Sequence, residues 1–209
     1  MAWKVTAADS AIVLIDHGIG FANLFRSHTV AENVNGVVAL ARIARIYGVP
    51  LIVTSGPDNS PVGPLYPQLA AVLGDHPVVL RSGAFDAFEE EAFTRAIEAT
   101  GRQRLVMAGL MTEGCLLHTA LGAVEQGYEV RAVLDASACV TTETHELAVR
   151  RMTQAGVIPT SWLSVAAEYQ VTWANAETAD GFRDLVGGHS PTFAMQGAMQ
   201  ANIERHAAS

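Results

Sequence analysis

Apolar residues along this chain fall into two kinds of run, and the two kinds alternate. Short, mostly apolar runs of strand length occur at 10–16 (Ser-Ala-Ile-Val-Leu-Ile-Asp), 51–54, 77–80, 104–109, 128–134 and 157–162. Runs with no polar face suit strands buried on both sides. Between them, apolar positions recur at helical spacing. Over 29–47, Val34, Val37, Val38, Ala41 and Ala44 mark such a helix, and Gly48-Val49-Pro50 stops it. Further helices are predicted around 69–73, over 88–99, from Cys115 onward, and over 142–154 with Gly156 closing. Glu89, Glu90 and Glu91 stand near the start of the 88–99 helix, where its dipole favours them. Strand and helix alternating in this way predict an α/β, three-layer Rossmann-like fold on a six-stranded parallel sheet with right-handed crossovers. Residues 164–209 leave the pattern. They read as a C-terminal helical extension, with few strong apolar anchors and a break at Gly187-Gly188 and Pro191. The expected division is a main domain over 1–163 and an extension over 164–209.

In sheets of this class ligands bind beyond the carboxyl ends of the strands, where strand order reverses. Asp16, Arg81 and Cys115 all stand at that edge. Asp16 ends an apolar strand, as a functional carboxylate or as a cap for the next loop. Arg81 ends the third strand and, taken alone, would be a surface residue. Cys115 falls in the first turn of a helix directly after a strand, where backbone N–H groups and the helix dipole favour a thiolate; it is either a nucleophile or a small core residue. A carboxylate, a cation and a thiol on one rim are more specific than any one of them. Phe21, Phe25, Phe85 and Phe88 lie in loops near the same rim, as pocket lining or as packing against the sheet. Cys139 follows the fifth strand and could approach the site, as an inert thiol or as a lining residue. His17, His118 and His145 do not assemble the three or four ligands of a zinc site, His118 reading as packed core and His145 as an exposed or structural helix residue.

Composition narrows the classes. The 209 residues are half apolar and carry a net charge of -8 without Lys/Arg clusters. A globular protein is expected, with neither nucleic acid nor membrane as partner. The first ten residues hold no apolar core and only two cysteines are present, so a reducing cytoplasm is the expected location. Gly-x-Ser-x-Gly, P-loop and complete Gly-x-Gly-x-x-Gly motifs are missing from the sequence.

The combined order of motifs resembles the isochorismatase-like cysteine hydrolases, and most closely their YcaC-like group. The carriers are Val13-Leu14-Ile15-Asp16-His17, Arg81-Ser82-Gly83 and, most strongly, Ala108-Gly109-Leu110-Met111-Thr112-Glu113-Gly114-Cys115. Asp135-Ala136-Ser137 and the stretch from Arg151 to Gly156 also fit. The resemblance implies a catalytic Asp/Lys/Cys triad, carried here by Asp16 and Cys115 with Arg81 in place of lysine. Arginine stays protonated and would act by charge and orientation alone. The resemblance further implies a cis peptide at Leu110–Met111 and an oxyanion hole from the Met111 and Cys115 N–H groups. Relatives that bind zinc use Asp and His after the second strand; Thr54 to Asn59 keeps one Asp and no His, so no metal and no cofactor are expected. The implied activity is cleavage of a C–N bond in a small amide through a thioester. Alternatives are a thiol-based redox or small-molecule-binding protein, and vinyl-ether cleavage needing only Asp16. A homo-oligomer is expected, with 164–209 in the interface. Asp16 as base and Asp16 as anion act oppositely on the thiol, so a coupled titration is expected, with slower labelling of Cys115 in Asp16→Asn.

Overall fold

The computed structural model describes residues 4–207; residues 1–3 and 208–209, the outer ends of the opening stretch and of the extension, lie outside it. Six strands form one wholly parallel sheet in the order β3-β2-β1-β4-β5-β6. They are β1 (Ser10–Ile15), β2 (Leu51–Ser55), β3 (Val78–Leu80), β4 (Arg104–Gly109), β5 (Glu129–Val133) and β6 (Ile158–Thr160). The chain runs outward from β1 to β3, then returns to place β4 on the other side of β1. Strand order therefore reverses between β1 and β4.

The strands alternate their side chains between two cores, the period-two consequence of the pleat. Ile12, Leu14, Val106 and Ala108 face one core, and Ala11, Val13, Ile15, Leu105 and Met107 face the other. The first core is covered by α1 (Val30–Tyr47), α2 (Pro67–Leu73), α6 (Trp162–Gln170) and α7 (Ala179–His189). The second is covered by α3 (Glu91–Ala99), α4 (Leu117–Glu125) and α5 (Thr142–Gln154). α1 starts at a reciprocal capping box between Thr29 and Glu32 and stops at Gly48, whose φ of 63° a glycine adopts without a Cβ penalty.

The described part of the extension, residues 164–207, differs from its sequence expectation. A division at 163/164 cuts through α6, and α6 and α7 belong to the main core. Trp162, Val165, Tyr169, Phe182, Leu185 and Val186 are buried in it, so the expectation of few apolar anchors is corrected. Buried Tyr169 Oη pairs with Ser10 Oγ of β1 at 2.7 Å. Gly187 and Gly188 are helical within α7; the break comes at Ser190, ahead of Pro191. α8 (Pro191–Ala207) has no buried residue and meets the first core through partly buried Phe193.

Candidate active site

β1 delivers Asp16 to the point where strand order reverses. Its N–H donates to the Thr54 carbonyl at 3.1 Å, and its backbone then turns left-handed, with φ at 57°. The side chain is held from two sides. Thr54 Oγ1 donates to Oδ1 at 2.8 Å, and Arg81 Nη1 donates to Oδ2 at 2.6 Å. The Arg81 and Asp16 side chains are 3% and 6% exposed, so the pair is buried. Removing one member of such a pair strands a charge, typically at a cost of about 3–5 kcal/mol. Arg81 leaves β3, two strands away from β1. It reaches the carboxylate because its own N–H is fixed on the Ser55 carbonyl of β2 at 2.9 Å. A second nitrogen, Nη2, donates to the Ala84 carbonyl.

β4 delivers the thiol. Gly109 permits the close approach of β1 and β4, since a Cβ there would meet the Ile15 Cβ at 2.9 Å. The Leu110–Met111 peptide is cis. The N–H groups on either side are taken, Leu110 by Ile15 at 3.0 Å and Thr112 by Ala138 at 2.8 Å. The Met111 N–H has no acceptor among the described residues. Thr112–Leu116 is an irregular turn in which Gly114 leaves helical geometry (φ -109°, ψ -105°), and α4 proper begins at Leu117. Cys115 thus sits two residues before the regular helix and not in its first turn.

The thiol is half-buried, and burial pushes it up to about 12; the Asp16 charge and a hydrogen bond to Asp16 add to this, while Arg81 opposes it. The resting group is a protonated thiol beside a carboxylate, not a helix-stabilised thiolate. Asp16, Arg81 and Cys115 share a cleft of about 230 Å³. Phe21, Pro57, Val62 and Phe85 supply much of its apolar lining, and Phe85, 65% exposed, stands at the mouth. Ser60 also lines it, with a buried hydroxyl that meets no protein partner.

Three other expectations change. Phe25 does not line this cleft; it is buried in the core on the α1 side. Phe88 packs edge-on to Phe93 and stacks on Tyr128 in the opposite core. His118 is half-buried beside Phe85 and not deep in the core. His17 is buried with Nε2 on the Ala136 carbonyl at 2.9 Å, and burial lowers it to about 4. His145 is buried on Thr112 at 3.0 Å and is likewise lowered to about 4. Among the described residues no group of three or more His, Cys, Asp or Glu could hold a metal ion. None of their helices is long and apolar enough to cross a membrane. Two polar partners of the site were missed in the sequence, Thr54 and Glu90. Thr54 reads there as one more β-branched strand residue, and Glu90 as one of three helix-start glutamates.

Comparison with known proteins gives a consistent answer. The chain is 36% identical to the probable hydrolase YcaC of Escherichia coli over 185 residues, 88% of each protein. The E. coli YcaC crystal structure, an octameric hydrolase of unknown specificity, matches with a TM-score of 0.91 at 33% identity, covering 97% of this chain and 98% of that one. YcaC of Pseudomonas aeruginosa, solved with hexane-2,5-diol and covalent acrylamide, matches with a TM-score of 0.89 at 34% identity over 96% and 98% of the two chains. The isochorismatase domain profile matches residues 10–164, from the start of β1 into α6, and the chain belongs to the isochorismatase family.

Proposed function

We propose that the protein is a cysteine hydrolase that cleaves the C–N bond of a small amide or related acyl compound. The observation that carries the reading is the thiol of Cys115 held between the Asp16 carboxylate and the Arg81 guanidinium in an apolar cleft. A thiol near 12 needs a base at the moment of attack, and Asp16 is the carboxylate acting on it. Asp16 accepts the thiol proton as sulfur bonds to the carbonyl carbon, and the carbonyl oxygen takes the electron pair. The Met111 and Cys115 N–H groups receive that oxyanion. Collapse expels the amine, which takes the proton from Asp16, and leaves a thioester. Water, deprotonated by Asp16, then releases the acid and restores the thiol. Arg81 holds the carboxylate ionised and in place, and takes no proton itself. The covalent acrylamide in the P. aeruginosa relative fits a nucleophile in this group of proteins. A resting thiol disfavours the peroxide-reactive alternative, which needs a thiolate.

The cleft limits the substrate to a small molecule with an apolar body. A screen of small amides for ammonia or amine release tests the proposal. Turnover that survives Cys115→Ala but not Asp16→Asn assigns the chemistry to acid-assisted cleavage without a thiol.

The proposal extends to assembly. Met195, Met199 and Ile203 recur at helical spacing on α8, and all three are exposed. The relative from E. coli is octameric. A homo-oligomer that buries α8 accounts for an apolar stripe on a helix with no buried residue. Light scattering on the intact chain and on one ending at Ser190 tests this, the truncated chain being the smaller species. A monomeric intact chain ends the idea.

A further inference from the structure

Glu90 is the N-cap residue of α3, yet its side chain makes no capping bond to that helix. It turns back across the loop after β3. Its carboxylate accepts the Ser82 N–H at 2.8 Å through Oε2 and at 3.0 Å through Oε1, and the Gly83 N–H at 3.3 Å. Its Oε1 lies 3.8 Å from Arg81 Nε, which makes no hydrogen bond to a protein acceptor. The Glu90 side chain is 15% exposed, so a carboxylate is kept close to the buried guanidinium at the cost of much of its hydration. The guanidinium is thereby surrounded: Asp16 on Nη1, the Ala84 carbonyl on Nη2, and Glu90 facing Nε. Gly83 has a φ of 118°, a conformation open to glycine, and this lets consecutive N–H groups converge on one carboxylate. Asp86, the other carboxylate that acts on Arg81, is occupied with the Phe88 N–H at 2.9 Å.

We propose that Glu90 is a positioning residue, whose carboxylate holds the Arg81–Gly83 turn by its amides and so fixes the Arg81 guanidinium against Asp16 and Cys115. The inference rests on Cys115 being the reactive thiol. It adds the N-cap residue of α3 to a site otherwise built from β1, the end of β3 and the turn before α4. The consequence is directional. Arg81 is the group that favours the thiolate, against burial and Asp16. An Arg81 free to move off the thiol therefore makes Cys115 less reactive.

The test is the rate of Cys115 alkylation by iodoacetamide from pH 7 to 9, read by mass mapping on the full chain. This readout does not depend on finding a substrate. Glu90→Asp keeps the charge and places a better cap on α3, but is one methylene too short to span to the turn. It is expected to fold as stably as the parent and to alkylate about three- to tenfold more slowly, as for a half-unit to one-unit rise in the thiol pKa. Glu90→Ala is expected to show the same slowing with lower stability. Glu90→Gln keeps an acceptor on the Ser82 amide and is expected to return the rate to within about twofold of the parent. Parental rates in both Glu90→Asp and Glu90→Ala overturn the proposal, as does a Glu90→Gln as slow as Glu90→Asp. Failure of the hydrolase reading is seen separately, as turnover retained in Cys115→Ala.

Discussion

Cys115 and Cys139 both leave the carboxyl edge of one parallel sheet, and burial raises the pKa of both thiols. Their surroundings differ in kind. The segment around Cys139 is fastened on every polar group. Its carbonyl accepts the Arg26 and Ser27 N–H groups at 2.9 and 3.2 Å, its N–H donates to Ser27 Oγ at 2.9 Å, and its sulfur accepts Thr144 Oγ1 at 3.3 Å. Cys115 faces a cleft, with a carboxylate and a guanidinium acting on the sulfur. Acidity therefore activates neither thiol, since both are raised. A carboxylate acts on each sulfur, Asp16 on Cys115 and Glu113 on Cys139; what separates them is access, since Cys139 is fully buried, and the guanidinium beside Cys115.

Turnover should break the symmetry most sharply. Cys115→Ala is expected to lose about 10⁴-fold in rate on whichever amide the screen identifies. Cys139→Ala should stay within about threefold, and should cost about 1–2 kcal/mol of stability as a small buried truncation. Near-equal losses in the two variants remove the distinction.

Alkylation comes next in size. With the thiol near 12, labelling of Cys115 should rise about tenfold per pH unit from 7 to 9 without levelling. Cys139 should label only on unfolding. The charge beside the thiol argues against the slower labelling of Asp16→Asn expected from sequence. Asp16 as an anion raises the thiol, so Asp16→Asn should label faster, by about tenfold, while losing turnover. Slower labelling in that variant means that Asp16 delivers the thiolate even to a small electrophile.

Acid acts on both regions through buried histidines. His17 follows Asp16, and His145 of α5 pairs with Thr112 at the start of the Cys115 turn while α5 also carries Thr144. Both are lowered from 6.5 to about 4, chiefly by burial. The unfolded chain takes these protons first, so stability falls as pH drops from about 6.5 to about 4. The His17 share is up to about 3 kcal/mol. Denaturant titrations at pH 7, 5.5 and 4.5 check this. His17→Gln should flatten the slope more than His145→Gln does.

The sheet was legible because most strands are short apolar runs, and three of the six runs end at a residue that marks the edge: Asp16, Arg81 or Gly109. Helix limits were legible where a cap stood in the sequence, as at Thr29 and Gly48. α6 and α7 were under-read because Trp162, Phe182 and Leu185 are spread thinly among small and polar residues, and only packing against α1 reveals their common face. Gly187-Gly188 looked like a break, yet lies inside a helix whose buried face ends at Val186. Phe25 and Phe85 are alike in sequence, aromatic and in loops, but one is buried and the other 65% exposed. The hold of Glu90 on Ser82 and Gly83 spans seven or eight residues between loop and helix cap, and follows no periodicity.

The left-handed backbone at Asp16 also restricts what the position can hold. At a φ of 57° most residues with a Cβ cost about 1–2 kcal/mol, whereas aspartate and asparagine adopt it readily. The acid at the end of β1 is thus specified twice, by charge and by main-chain shape, and a longer glutamate would meet only the first demand. Asparagine is therefore the replacement that keeps the main-chain shape while leaving the Arg81 charge without its Asp16 partner, whereas alanine at the same place disturbs the turn as well.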